Sequence, residues 1–518
     1  MKKLLLGIDI GTSACKIAIF TKSGEVLAQS NQEYPIYYPH EGWVEQNPDE
    51  WWNSVSIGIR EIIGKSGINS SQIAGIGIAG QGWSAIPVDK NGNCLSNTPI
   101  WMDTRAKEIA DRVTNEIGAD RIFEVAGNSF LPAYTTPKLL WFKETMPEIY
   151  EKTYKFLQSN SYIGMKLTGV MTSDKCQNYG VHFYNTKTCT YDEWLAESMG
   201  LSIEKMPEIY QCHDIIGRVT KEAAELTSLA EGTPVVAGGL DAACGTLGAG
   251  VYRPKQTQIQ GGQAGGMSIC EDQPIVHPQL IFSPHVVPGL WLLQGGTVGG
   301  GGVLRWFKQE LGDGESFDDL TALAQEVPPG AEGVTFLPYM AGERAPIWNP
   351  DAKGVFYGLS FDKTKGHLVR AALEGVAFSV QHNLKVAEEA GVNIHELDLR
   401  AMGGAANSEL WVQIYADVTG CKISVPASDT ATTLGAALLA GVGVGMYKDF
   451  EEAVEETVKV TRIQEPHMEN NEIYKNSLEF YLELYESLKH TFSQSSINKG
   501  GTFNNEGGST LRKRKIEI

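Results

Sequence analysis

The chain has 518 residues, with 43 Lys+Arg against 62 Asp+Glu and a formal net charge of −19. At roughly 100–200 residues per domain this length predicts at least two cores, and a hydrophobic share of 42% excludes a mainly disordered chain. The acidic balance, with no basic block in the body, argues against a nucleic-acid backbone as partner, because phosphate binding needs clustered Lys/Arg.

The first residues, Met1-Lys2-Lys3-Leu4-Leu5-Leu6, start like a secretion signal, but Asp9 ends the apolar run early and no small-residue cleavage site follows. Residues 4–9, 16–20 and 26–30 read as short strands, with Gly11-Thr12-Ser13 and Lys22-Ser23-Gly24 as their turns. Residues 73–78 and 234–237 read as buried strands, and 106–117, 138–144 and 221–229 as helices. A boundary is expected near residues 248–254, where a Gly-rich helix end meets a Pro turn. Just beyond it, residues 257–260, a glycine turn at 261–266 and residues 267–270 repeat the opening layout, which hints at two related halves. Helices are expected at 300–311, 367–390, 408–419 and 433–440, interleaved with strands at 335–337, 398–402 and 422–425. That alternation predicts α/β architecture. Tyr474, Leu478, Tyr481, Tyr485 and Leu488 mark one face of a last helix. After about Ser493 the chain turns Ser/Asn/Gly-rich and ends near Arg512-Lys513-Arg514-Lys515, a stretch expected to be disordered.

Residues 434–446 are too short and glycine-rich to span a bilayer. Eight cysteines include no Cys-x-x-Cys pair, which suits reduced thiols in a cytoplasmic protein without a membrane anchor. Ten histidines lack metal-ligand spacing. Cys15 and Cys244 read as small apolar packers.

Three features carry chemistry. Asp9-Ile10-Gly11-Thr12-Ser13, with Lys16 beyond, is either a loop whose amides and hydroxyls meet phosphate oxygens beside a Mg²⁺-binding carboxylate, or an ordinary hairpin. Gly238-Gly239-Leu240-Asp241 opens a small-residue helix, so Asp241 is either a general base or an N-terminal helix cap. Glycine clusters at 261–266, 295–302 and 403–404 can each bring amides against an anion. None is a Walker-type loop or a Gly-x-Gly-x-x-Gly turn after the first strand. Together they suggest a nucleotide held between two halves.

Gly354-Val355-Phe356-Tyr357-Gly358-Leu359, then seven residues, then His367-Leu368-Val369-Arg370-Ala371-Ala372-Leu373-Glu374, fits throughout the second signature of the FGGY carbohydrate kinases. Lys138-Leu139-Leu140-Trp141-Phe142 is similar to the core of the first signature, with Ala133 departing at its leading position. Asp9 to Ser13, Gly42-Trp43-Val44-Glu45-Gln46 with Trp51-Trp52, Trp101-Met102-Asp103-Thr104-Arg105, Gly239-Leu240-Asp241 and Gly403-Gly404-Ala405 follow in that family's order. The chain resembles the family over roughly residues 4–490.

The resemblance implies two RNase H-like α/β domains of the actin/sugar-kinase superfamily around a central cleft. Residues 1–250 would form the sugar side and 251–492 the ATP side, with a tail at 493–518. It implies ATP with Mg²⁺, Asp241 as catalytic base and Asp9 near the metal. Gly11, Thr12, Ser13 and Lys16 would serve the first phosphate loop, Gly262 and Gln263 the outer phosphates, and Gly300 and Gly301 would also face phosphate. Gln263 departs from the family's Gly-Thr or Gly-Ser pair. Gly404, Ala405 and Ser408 would meet adenosine, and Gln81, Gly82, Trp83 and Asp103, with Asp241, the sugar. Gly80-Gln81-Gly82-Trp83 is most similar to Gly-Gln-Met-His of xylulokinases, with Gly82 and Trp83 in place of Met and His, and Ala242 in place of the Asn after the base. Trp83 either stacks on a sugar face or packs in the core. The implied reaction is phosphorylation of the 5-hydroxyl of D-xylulose. Another ketose, polyol or aldonate is the alternative, and a non-kinase ATPase of the superfamily is the rival. An aldonate would want a pocket cation, and residues 81–84 offer none. A homodimer is left open.

Overall fold

The computed structural model describes residues 3–427 and 430–497. One sheet comprises β1 (Leu4–Ile10), β2 (Ala14–Thr21), β3 (Val26–Glu33), β4 (Ile73–Gly80), β5 (Ile215–Arg218), β6 (Pro234–Val236) and β7 (Gly239–Leu240). Its order is β5-β6-β4-β1-β2-β3, with β7 beside the end of β4. β1 and β4 pair in parallel and are buried along their whole length, so both faces of the central sheet are covered and their sequences read as continuous apolar runs.

A second sheet comprises β8 (Gln256–Gly261), β9 (Gly265–Glu271), β10 (Ile281–Pro284), β11 (Trp291–Thr297), β12 (Asp398–Met402), β13 (Ile423–Pro426) and β14 (Val460–Gln464). Its order is β10-β11-β9-β8-β12-β13-β14. In each sheet three antiparallel strands run into parallel ones: β3-β2-β1-β4-β6 in the first and β11-β9-β8-β12-β13 in the second. The repeated hairpin visible in the sequence is the start of that duplication.

The helices that matter for the site are α1 (Pro48–Ser66), α2 (Thr135–Thr145), α3 (Ser159–Thr168), α4 (Asp241–Gly248), α5 (Gly301–Leu311), α6 (Lys365–Glu389), α7 (Glu409–Thr419), α8 (Ala431–Gly443) and α9 (Met468–Ile497). Sequence periodicity did not mark α1. Asn47 caps it by accepting the Asp49 amide, proline opens it, Gly67 ends it in the left-handed region, and Trp51, Val55, Ile59 and Ile62 face the core.

α8 is apolar all round and buried from Thr433 to Gly441, so it needs cover on every side. The first sheet supplies much of it: α8 crosses β1 and β4 and packs on α4, although its chain position lies among residues of the second sheet. A Cβ at Gly7 would overlap the Thr433 carbonyl, one at Gly77 the Ala436 carbonyl, and one at Gly435 the Cys244 carbonyl.

α9 carries Tyr474, Leu478, Tyr481 and Tyr485 inward as the spacing predicts, and it runs helical through residue 497, past the expected start of the tail at 493. The rest of the tail, with its four terminal basic residues, lies outside the described residues. Among the described residues no helix is long and apolar enough to cross a membrane.

Candidate active site

A cavity of about 1070 Å³ opens between the two sheets. Asp9 reaches it from the end of β1, Thr12 and Lys16 from the following hairpin, and Gln81, Gly82 and Trp83 from the end of β4. Asp241 enters from the first turn of α4, while Gly262 and Gly404 line the opposite side.

Asp9 feels the charge of Asp241 across this space. Burial, then Asp241, lifts the Asp9 carboxyl to about 7 against the pull of Lys16, its cross-strand partner on β2. Burial lifts Asp241 to about 6, opposed by its own hydrogen bond from the Ala242 amide at 2.6 Å and by Arg344. Asp9 Oδ1 is buried without a hydrogen-bond partner. One orphaned carboxylate oxygen beside a second carboxylate fits a hard cation that takes its remaining ligands from phosphate and water. No group of three or more His, Cys, Asp or Glu that could cage a metal occurs among the described residues.

Gln46 joins the two ends of the first-sheet wall. Its amide donates to the Thr12 carbonyl at 2.7 Å and its oxygen accepts from Gln81 Nε2 at 2.7 Å. Trp101 Nε1 donates to Thr12 Oγ1 at 2.9 Å. Gln81 keeps a buried side-chain oxygen without a partner at the cavity. Trp83 has φ 62°, a region a bulky residue enters only when its surroundings hold it. Buried Lys138 on α2 does the holding, donating to the Trp83 and Ile100 carbonyls, each at 2.8 Å. Burial brings that ammonium down to about 7. The Trp83 ring stacks on Tyr134 with centroids 4.1 Å apart, so it both packs in the core and lines the cavity.

Several of the expected site residues do not line the cavity. Asp103 is fully buried away from the cavity: its carboxylate accepts from Arg105 at 2.8 and 3.0 Å and from the Val44 amide at 2.6 Å. Arg105 in turn lies between the Trp43 and Trp141 rings, so both Asp103 oxygens serve a structural clamp outside the cavity lining. The Gly11 amide closes the hairpin by donating to Ala14 O at 3.1 Å, and its carbonyl accepts the Tyr34 hydroxyl. Ser13 stands outside the cavity lining. The amides of Gly301 and Gly302, which open α5, donate to the Gly262 and Gln263 carbonyls at 2.6 and 3.0 Å. Gly301 and Gln263 are thus held in this hairpin-to-helix contact, Gly300 lies against Ala264, and none of the three lines the cavity. Ala405 is buried against Gly261, and Ser408 Oγ caps α7 by accepting the Trp411 amide at 3.3 Å.

Other residues were missed. Met402, Asn407 and residues 430–433 line the end near Gly403 and Gly404. Gln258 and Gln260 face the cavity from β8, and their alternation in a central strand was a usable signal, because polar side chains recurring at every second position put one face of the strand against something polar. Arg344 also lines it, from the loop between residues 338 and 354. Its signal was an adjacent Glu-Arg pair in a Gly/Pro-rich segment otherwise expected to be surface loop.

Residues 4–248 match the N-terminal domain of the FGGY family of carbohydrate kinases and residues 269–444 its C-terminal domain. The chain is 31% identical over 492 residues to a xylulose kinase of Staphylococcus epidermidis, covering 94% of this chain and 98% of that protein. It is 28% identical over 505 residues to a gluconokinase of Bacillus licheniformis, covering 95% and 98%. The crystal structure of xylulose kinase from Rhodospirillum rubrum superposes with a TM-score of 0.87 at 29% identity, covering 95% of this chain and all of that one.

Proposed function

The chain belongs to the FGGY family of carbohydrate kinases, and from that premise we propose that it phosphorylates the 5-hydroxyl of D-xylulose with ATP in the cavity between its two sheets. As a family member it is a sugar kinase that moves a phosphoryl group from ATP to a carbohydrate hydroxyl. The observation that carries the site assignment is the pairing of Asp9 and Asp241 at one cavity, reached from separate segments of the chain.

Asp241 is the catalytic base. Its carboxylate takes the proton of the sugar hydroxyl as that oxygen bonds to the γ-phosphorus and the bond from that phosphorus to ADP breaks. Asp9 is the metal-side carboxylate, held by β1 with its orphaned oxygen at the cavity. It would hold Mg²⁺, which would neutralise phosphate charge. Thr12, Lys16 and Gly262 contact phosphate, and Gly404 with Asn407 contacts adenosine. For the start of α5 to meet phosphate as well, the Gly262 and Gln263 carbonyls have to leave its amides. Gln81, Gly82 and Trp83 bind the sugar from the first-sheet side. All eight cysteines are unpaired, which supports a cytoplasmic setting.

A coupled ADP assay on D-xylulose, gluconate, xylitol and glycerol tests the substrate. D-Xylulose is expected to give the highest kcat/KM, and strong turnover of another acceptor with none of D-xylulose overturns the assignment. Asp241→Asn is expected to bind ATP nearly as well as the parent while kcat falls by at least about a thousandfold; normal turnover would remove Asp241 from the base role.

A further inference from the structure

Arg344 stands on the second-sheet side of the cavity, against Gly296 of β11, where a Cβ would lie 3.0 Å from its guanidinium. Its guanidinium lies over the Trp101 ring, 5.3 Å from the centroid. Among the described residues that guanidinium has no hydrogen bond and no salt bridge; the neighbouring Glu343 accepts the Val298 and Arg344 amides through Oε1, at 2.6 and 2.8 Å, and its Oε2 is buried without a partner. The groups that feel its charge are Glu343, Tyr179, Tyr134 and Asp241. Of these, Tyr179 and Asp241 line the cavity together with Trp83, and Tyr134 is stacked on the Trp83 ring.

We propose that Arg344 is a specificity-determining residue that binds a trigonal oxygen group of the acceptor, a ketose carbonyl or an aldonate carboxylate, and so selects such sugars over polyols. This rests on the kinase assignment and deepens it. Unused donors in a half-closed site are costly unless a ligand supplies acceptors. The planar fork of a guanidinium is matched by in-plane lone pairs: a carboxylate takes two parallel N–H bonds, and a carbonyl takes one or two while a neighbouring hydroxyl takes another. A tetrahedral hydroxyl presents no such edge. The cation that an aldonate needs is thus present, but it comes from the opposite wall to Gln81 and Trp83. Because Arg344 acts on Asp241 through its charge alone, without a hydrogen bond, it serves the acceptor without neutralising the base.

The test is initial-rate kinetics and calorimetric titration of the full chain and of Arg344→Met and Arg344→Lys, with D-xylulose, gluconate and xylitol. For the parent, kcat/KM for the ketose or the aldonate is expected to exceed that for xylitol at least tenfold, and whichever is preferred identifies the oxygen group. In Arg344→Met the KM and Kd for that sugar should rise ten- to a hundredfold and the preference over xylitol should collapse. The KM for ATP should stay within about twofold, and lysine should recover part of the loss. A fall in kcat with unchanged sugar KM, or a shift in ATP KM alone, overturns the proposal by making Arg344 a phosphate contact. Parent protein that forms no ADP with any sugar refutes the kinase assignment instead, while sugar titrations of parent and variants still decide Arg344; equal melting temperatures exclude misfolding.

Discussion

Asp9 and Asp241 face one cavity, and their carboxyls stand at about 7 and about 6 in the folded chain against an ordinary 3.8. A base must be ionised to accept the sugar proton, so kcat/KM should fall on the acid side with an apparent midpoint near 6, shared by the coupled pair. An acid limb near 4 would show that the carboxylates are well solvated. The same shifts bear on stability. With folded values above unfolded ones, the native chain holds protons more tightly between about pH 4 and 7, so the stabilisation is present in acid and is lost as pH rises through the folded values. At pH 8 both groups are ionised in a desolvated site. Asp9→Asn and Asp241→Asn should therefore melt a few degrees above the parent at pH 8 and converge on it only below about pH 4; scanning calorimetry at the two pH values reads this directly.

α8 shows how a helix can be fixed by what its neighbours lack. Glycines at 7 and 77 let its backbone lie directly on β1 and β4, and no side chain fits between. Gly77→Ala should cost at least about 2–3 kcal/mol or prevent folding, as expected when an atom is forced into a filled contact. Gly64, inside α1, has open space where a methyl group would stand, and Gly64→Ala should stabilise by about 0.5–1 kcal/mol. Urea melts of the two variants compare them; equal effects would mean that the close helix-on-sheet contact is not formed. Lys138 and the Asp103–Arg105 clamp play a similar part at the sugar end. They tie the turn at Trp83 and the Trp101 segment into α2, where a stacked Trp83 is kept at a strained φ.

Both sheets contribute to one cavity, and α4 and α8 pass between them, so the relative position of the sheets governs the distance from Gly404 to Asp241. ATP left open to water in such a site would be hydrolysed, which makes closure on sugar and nucleotide together the expected behaviour. D-Xylulose with a non-hydrolysable ATP analogue should reduce the radius of gyration in small-angle scattering relative to either ligand alone. No change would mean that the sheets already stand at their catalytic separation.

The α/β class, the duplicated hairpin, the acids at strand ends and most helices were legible along the chain, because strand alternation, helical spacing and glycine turns are local properties that a few neighbouring residues impose. What local spacing does not carry is which surfaces meet. Asp103 sits in a motif that reads as a sugar contact, yet it is spent on Arg105, and only the packing of Trp43 and Trp141 decides that. Gly300 and Gly301 have the composition of an anion site, but the adjacent hairpin caps their helix. Arg344 lies about a hundred residues beyond Asp241 in the chain and reaches the same cavity, since desolvation and charge act through space after the two sheets have closed on each other.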